Sequence, residues 1–337
     1  MGDLGSPPTL EVVICTYNNA PMLTDALAAL ARQRPPDGSR WSCLVVDNNC
    51  TDATASVVEK HIADGTIPGL RVVREPRQGL TPARLCGVRS SVAPWIAFVD
   101  DDCILENDWI VQAVAFAETH PDVGAFGGTV TLDFCADTPA YARAYGYSFA
   151  EQNHGDVQKR AAFLVGAGLV VSRSALSSCG WTDDPVLPDR IGKRLVSGGD
   201  VEIVLRIASE GYELWYVPDC RLRHRIPPQR TSLPYLAAIN RGLGVSQALA
   251  DAMVWSGSSA GWVRTSSLKL MKDVGTLGSI ARAVLGGRAT TADLRIQASF
   301  RLGQLRGLVR IASMSPSRRR RLMGLARPRH GRTDRAA

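Results

Sequence analysis

Short runs of apolar, often β-branched residues alternate with helical patterns along the first hundred positions. In order they are LEVVIC, PMLTDALAALARQ, SCLVVD, TDATASVVEKHIAD, LRVVRE, TPARLCGVRSS and WIAFVD. The short runs read as buried strands, and the segments between them repeat apolar residues at helical spacing. Leu23, Leu27 and Leu30 fall at i, i+4 and i+7, which predicts a core-facing stripe and no other role. Pro21 and Pro82 suit first helical turns, and Thr51 or Asp52 is placed to cap the second helix. Alternation at roughly 30-residue spacing predicts βαβ units, hence an α/β fold with a mostly parallel sheet flanked by helices.

Beyond position 240 the pattern changes. GWVRTSSLKLMKDVGTLGSIARAVLGG and TADLRIQASFRLGQLRGLVRIASM predict two amphipathic helices, the second aligning Leu294, Ala298, Leu302, Leu305, Val309 and Ala312. Arg295, Arg306 and Arg310 flank that stripe, and SRRRRLMGLARPRHGR follows. From Ile239 onward 18 Lys and Arg stand against 4 Asp, a net +14, whereas the whole chain carries +7. A basic amphipathic helix suits an anionic membrane surface, and a helix packed on the α/β domain with a disordered basic tail is the other reading. The charge comes without an aromatic stacking platform, so no nucleic acid is expected.

With 337 residues and 45% hydrophobic composition, the chain can bury a full core. Its eight cysteines form no C-x-x-C pair, which predicts reduced thiols in a cytosolic protein and neither a disulfide framework nor a zinc site. The opening MGDLGSPPTLEVVICTYNN lacks a basic start followed by an apolar core, and no apolar run approaches ~18 residues. Neither secretion nor membrane spanning is expected.

Three strands end in an acid: Asp47, Glu75 and Asp100. Ligands of open parallel sheets bind outside the carboxyl ends of the strands, so these acids are expected to line one cleft. Asp100, Asp101 and Asp102 form a consecutive triple that needs water or a counter-charge. A calcium loop is rejected because Leu105 stands where an EF-hand needs glycine. No G-x-G-x-x-G follows the first strand, Gly166 and Gly168 lack a third partner, and no Walker A loop is present. A Mg²⁺ or Mn²⁺ ion on strand-end carboxylates would neutralise a nucleotide diphosphate, and a solvated acidic turn is the plainer alternative.

Five ordered blocks decide between them: VVICTYNN, VVDNNCTDAT, VREPRQGLTPARLCGV, WIAFVDDDCILENDW and SGGDVEIVLRIASEGYELWYVPDCRLRH. Together they resemble the family 2 glycosyltransferases, which have a GT-A fold, from about Leu10 to Thr231. The resemblance implies that Thr16, Tyr17, Asn18 and Asp47 hold the nucleotide base, with Asn49 in the same donor-binding group. Ordinary packing is the plainer role for Tyr17. Arg84 matches an arginine near the base or phosphates, with Leu85 where asparagine is common; its alternative is a salt bridge to Glu75. Asp100 matches the aspartate that contacts ribose or donor sugar, and Asp102 and His224 match the metal site. Asp101 joins the donor group, although of the three it is the one most readily left merely solvated. Asp200 matches the catalytic base, with Gly199 where glutamate is usual. The plainer role for Asp200 is a helix cap, and Glu202 is the substitute base. Arg225 and Arg230 are placed to neutralise a diphosphate.

The resemblance therefore implies a Rossmann-like GT-A catalytic domain over 8–240, and the pattern beyond it predicts a helical extension over 241–314 and a disordered basic tail over 315–337. The implied function is inverting transfer from a nucleotide-diphosphate sugar to a hydroxyl of a saccharide or lipid-linked acceptor, in polysaccharide or glycolipid biosynthesis, with Mg²⁺ or Mn²⁺. The expected location is cytoplasmic, peripheral on the inner face of the cell membrane. A nucleotidyltransferase would carry a Gly-rich, Arg/Lys-bearing loop after the first strand, and CTYNNAP has none. A non-catalytic nucleotide-sugar-binding protein is the other alternative.

Overall fold

A computed structural model describes residues 8–34, 40–192 and 195–327. The first half runs β1 (Leu10–Thr16), α1 (Ala20–Ala31), β2 (Trp41–Asp47), α2 (Thr54–Asp64), β3 (Arg71–Arg74), α3 (Leu80–Ser90) and β4 (Trp95–Asp100). Then come β5 (Cys103–Leu105), α4 (Trp109–Thr119), β6 (Ala125–Gly127), β7 (Val130–Phe134), α5 (Ala140–Arg143), β8 (Lys159–Arg160), β9 (Leu169–Ser172) and α6 (Arg173–Ser178). The chain continues with α7 (Gly199–Ser209), β10 (Leu214–Tyr216), β11 (Leu222–Ile226), α8 (Leu233–Met253), α9 (Ser259–Leu285), α10 (Thr291–Ser313) and α11 (Pro316–Leu322).

The main sheet has the order β3-β2-β1-β4-β9-β6-β10-β8. β3, β2, β1 and β4 are mutually parallel, with Thr16 beside Asp47 and Cys15 beside Asp100, so their carboxyl ends finish level. β9 runs antiparallel to both β4 and β6, which makes the far half of the sheet mixed. Leu10, Val12 and Ile14 pack to one side with Leu23, Leu27, Leu30 and Trp109. Val13 packs to the other with residues of α3, α6 and α7. Both faces are covered, which is why these strands read as continuous apolar runs. A small sheet, β5-β11-β7, projects beyond the end of β4. Asp52 accepts the backbone N–H of Ala20 at 2.9 Å and that of Thr54 at 3.1 Å, serving the starts of both α1 and α2.

The helical extension begins earlier than its sequence boundary. α8 starts at Leu233 with Pro234 in its first turn, so the boundary at 240 falls inside one continuous helix. α10 lies against α8 along a glycine seam: a Cβ on Gly244 would meet the Phe300 carbonyl at 2.1 Å, and one on Gly303 the Arg241 carbonyl at 2.1 Å. The buried face of α10 is therefore Ala292, Ile296, Gly303, Gln304, Gly307 and Ile311. Leu302, Leu305 and Val309 of the apolar stripe face outward, at 42%, 43% and 59% exposure. The expected tail is also partly ordered: Ser315 caps α11, and Leu322 and Ala326 are buried beside Leu249 and Met253. The rest of that tail, 328–337, lies outside the described residues. Among the described residues no helix is long and apolar enough to cross a membrane. All eight cysteines are free, with Cys43, Cys103 and Cys220 buried and Cys135 exposed.

Candidate functional site

The level ends of β1 and β4, with the start of α3, enclose a cleft of about 290 Å³, close to the lower bound for small-molecule sites. Thr16, Tyr17 and Asn18 form one wall, with Tyr17 43% exposed and free to stack on a planar ligand. Asn18 adopts φ +50°, and its side-chain oxygen accepts the Thr51 N–H at 2.7 Å, tying the wall to the turn before α2. Asp47 and Asn49 stand at the adjacent edge, Asp47 committed to its local turn and Asn49 to a side chain of β3. Asp47 accepts the Cys50 N–H at 2.7 Å, and Asn49 accepts from Arg74 at 3.1 Å.

Glu75 does not join the cleft. Its carboxylate is held by Arg77 at 2.7 Å and accepts the Arg77 N–H at 2.9 Å. Of the three strand-end acids expected to line one cleft, only Asp100 does so: Asp47 turns to the Cys50 N–H, and an arginine two residues on captures Glu75. The same contact removes Glu75 as a partner for Arg84.

The acidic triple resolves into three different environments. Asp101, which sequence left as the most readily solvated, accepts Thr16 Oγ1 and Asn19 Nδ2, each at 2.7 Å. Burial and the neighbouring Asp102 push its carboxyl up. For Asp102, burial works in the same direction, but His224 and Arg230 outweigh it and hold its carboxyl well below the usual range. Arg230 Nη1 lies 2.6 Å from Asp102 Oδ2, and His224 Nε2 3.3 Å from Oδ1. β11 runs antiparallel to β5 with His224 opposite Cys103, which sets the imidazole beside Asp102. His224 Nδ1 faces the Phe149 carbonyl at 2.6 Å; although burial disfavours its charge, Asp102 raises its pKa. Arg230 is thus the counter-charge for Asp102, and Arg84, 3.9 Å from Asp100, is the cation nearest that acid.

Asp100, Asp102 and Cys103 bring ligand atoms within 4.8 Å of one another. Carboxylates and an imidazole suit a hard divalent cation. The Cys103 thiol does not, since burial pushes it far up and keeps it protonated. The carboxylates of Asp100 and Asp102 fit Mg²⁺ or Mn²⁺, whereas His224, expected beside the metal, lies outside this converging group, its two ring nitrogens facing the Phe149 carbonyl and Asp102.

A second hollow, about 140 Å³, opens from the first through Leu80, Asp100 and Arg190, which line both. Its far wall holds Asp200, in the first turn of α7, with Tyr147, Phe163 and Gly166 nearby. Gly166 is what admits Asp200: a Cβ there would lie 2.6 Å from Asp200 Oδ2. Asp200 is not the cap of α7, since that position belongs to Gly198. Arg84 lies buried behind the junction, 3.9 Å from Asp100 and 3.5 Å from Asp189.

Two sequence candidates lie elsewhere. Glu202 is fully buried and accepts the N–H groups of Val186 and Leu187 while pairing with Arg206 at 2.7 Å. It faces the interior, so it cannot substitute for Asp200. Arg225 pairs with Asp25 and, at 3.9 Å, Asp133, away from the cleft. Strand alternation explains the difference: His224 points inward on β11, and Arg225 points to the other side.

A model of the glycosyl transferase family 2 matches residues 11–179, half of the chain. The chain belongs to that family. Among curated relatives, glycosyltransferase AglE of Haloferax volcanii is 25% identical over 63% of this chain and 65% of its own length. The succinoglycan biosynthesis protein ExoM of Rhizobium meliloti is 24% identical over 68% and 70%. The glucosyl-dolichyl phosphate glucuronosyltransferase of Haloferax volcanii is 25% identical over 52% and 57%. The chain thus spans just under two thirds of the length of AglE. Among solved structures, the mannosyltransferase PcManGT from Pyrobaculum calidifontis, in complex with GDP-Man and Mn²⁺, superposes with TM-score 0.59 at 18% identity. That superposition covers 90% of this chain and 88% of the other, and shows the GT-A fold.

In this family 2 chain several cleft residues had no sequence signal of their own. Asn48 spans the floor, donating to the carbonyls of Glu75 at 3.0 Å and Arg77 at 2.7 Å while accepting the Gly79 N–H at 2.8 Å. Arg190 and Asp189 come from the loop before α7, where no periodicity marks them.

Proposed function

We propose that this chain transfers a sugar from a nucleotide-diphosphate donor to an acceptor hydroxyl with inversion at the anomeric carbon. The observation that carries this reading is the shared junction. The hollow bearing Tyr17 and the hollow bearing Asp200 meet at Asp100 and Arg190. A base stacked near Tyr17 would place its diphosphate along Asp100, Arg190 and Arg230, leaving the sugar facing Asp200. The Asp200 carboxylate takes the acceptor proton while the acceptor oxygen bonds to the anomeric carbon from the face opposite the diphosphate. The bond from that carbon to the diphosphate oxygen breaks, and its electron pair leaves with the diphosphate. Arg230 and Arg190 offset the charge that develops there. A divalent ion held by Asp100 and Asp102 would supply further electrophilic stabilisation of the leaving group.

The names of ExoM and of the glucosyl-dolichyl phosphate glucuronosyltransferase support a saccharide or lipid-linked acceptor. The outward apolar stripe of α10 supports a second element of this reading, attachment to the inner face of the cell membrane. Val309 of that stripe shares a groove with Val263 and Leu270 of α9 and with Arg319, and Arg295, Arg306 and Arg310 are exposed along α10.

A panel of nucleotide sugars assayed for diphosphate release, with Mn²⁺, with Mg²⁺ and with chelator, tests the catalytic reading. Metal-dependent release from one donor is the expected result. Tight donor binding without release, across the panel and with acceptors added, would point instead to a binding protein.

A further inference from the structure

Position 199 opens α7 with no room for a side chain. A Cβ on Gly199 would lie 2.2 Å from Asp189 Oδ2 and 3.5 Å from Arg84 Nη1. The volume that a side chain at 199 would fill is occupied by the carboxylate of Asp189, arriving from the loop before the helix. Asp189 is buried, its Oδ1 accepts the Arg190 N–H at 2.9 Å, and its Oδ2 lies 3.5 Å from Arg84 Nη1. Arg84 is equally buried, with its guanidinium 5.5 Å from the Phe98 ring centroid. Burial disfavours that cation, but the carboxylates of Asp189, Asp200 and Asp100 outweigh it and raise its pKa.

The three acids differ in what else they can do. The Asp100 carboxylate is 37% exposed and Asp200 lines the hollow, so both can meet a ligand. Asp189, almost without exposure, is enclosed by Arg84, the start of α7 at Gly199 and the Arg190 N–H. That loop also folds onto α3, where the Arg190 carbonyl accepts the Leu80 N–H at 3.0 Å. Without a buried acid beside it, the Arg84 guanidinium would turn to the nearest remaining carboxylates, Asp200 and Asp100, and withdraw them from the reaction.

We propose that Asp189 is a positioning residue that, from the loop, fills the space over Gly199 and pairs there with Arg84. It holds Arg84 so that Asp200 stays available to the acceptor and Arg190 stays at the junction. The proposal rests on Asp200 as the base.

The test compares kcat and donor KM for Asp189→Asn, Gly199→Glu and the double variant Asp189→Gly/Gly199→Glu, with thermal unfolding of each. Asp200→Asn is assayed alongside. A displacement of about 1 Å at a reacting group is worth roughly 10²-fold, so kcat of Asp189→Asn should fall by about 10- to 100-fold with donor KM changed far less. Gly199→Glu should be as impaired, since two acids then compete for one site. The double variant, with its acid supplied from the helix, should recover at least tenfold over either single change. An unaltered kcat in Asp189→Asn, a double variant no better than the singles, or an Asp189→Asn chain that does not fold would each overturn the proposal. Normal transfer by Asp200→Asn would remove the base assignment itself, an outcome separate from the others.

Discussion

Asp200 and Glu202 sit two residues apart in the first turn of α7, and only their surroundings separate their roles. Asp200 faces the hollow beside Gly166, whereas Glu202 is fully enclosed and bonded to Val186, Leu187 and Arg206. Burial pushes the Glu202 carboxyl up despite Arg206 and those two N–H groups, yet a raised pKa without access to the cleft does not make a base. Glu202→Gln leaves Arg206 a buried, half-paired cation, and breaking such a pair costs about 3–5 kcal/mol. The variant should unfold at lower temperature or denaturant concentration while keeping near-normal kcat in its folded fraction. A stable variant with no transfer would return Glu202 to the chemistry. The residues that the family resemblance singled out, Thr16, Asp100, Asp102 and Asp200, line the two hollows, because strand ends and a helix start fix where such side chains can point. Sequence motifs were silent on Asp189, Asn48 and the fate of Glu75, because capture by a local arginine or a loop carbonyl leaves no periodic trace.

At the level of elements, the first four strands and three helices were legible because both faces of the parallel half are covered, so apolar runs and helical stripes coincide with burial. The α10 helix is present where expected, but its apolar stripe is not the face that packs, for a physical reason. Apolar periodicity marks the face richest in leucine and valine, but the contact with α8 goes to the face bearing Gly303 and Gly307, where backbones can approach. Leu302, Leu305 and Val309 are thereby left uncovered beside exposed arginines. Deleting α10 would strip the buried face of α8, so point changes are the cleaner probe of membrane attachment. Leu302→Glu/Val309→Glu should fold normally and lose at least about tenfold in co-sedimentation with anionic vesicles at low salt. Fully burying each such side chain is worth about 1.5–3 kcal/mol, and salt should weaken the native protein's binding as well. Equal sedimentation of both proteins at low and high salt would remove the membrane reading.

Across the whole molecule, the cleft is assembled from three sources. The parallel half-sheet supplies Thr16, Tyr17 and the acidic triple, the small sheet supplies His224, and the segment from 189 to 243 closes the far side with Arg190, Asp200, Arg230, Ile239 and Leu243. α8 therefore belongs to the wall of the cleft as much as to the extension, a continuity that composition and charge could not reveal. Asn240 binds this wall together, accepting from Tyr147 Oη at 2.8 Å and donating to Ser148 Oγ at 3.0 Å. The central claim is that donor and acceptor meet between Asp100 and Asp200. It is tested most directly by the rate of sugar transfer from the active donor, with Mn²⁺ present, in the unaltered chain and in Asp200→Asn. Removing a general base costs ~10²–10⁴-fold, so transfer should fall by that factor while donor KM stays near its original value. Transfer at the original rate by a folded Asp200→Asn chain would contradict the account.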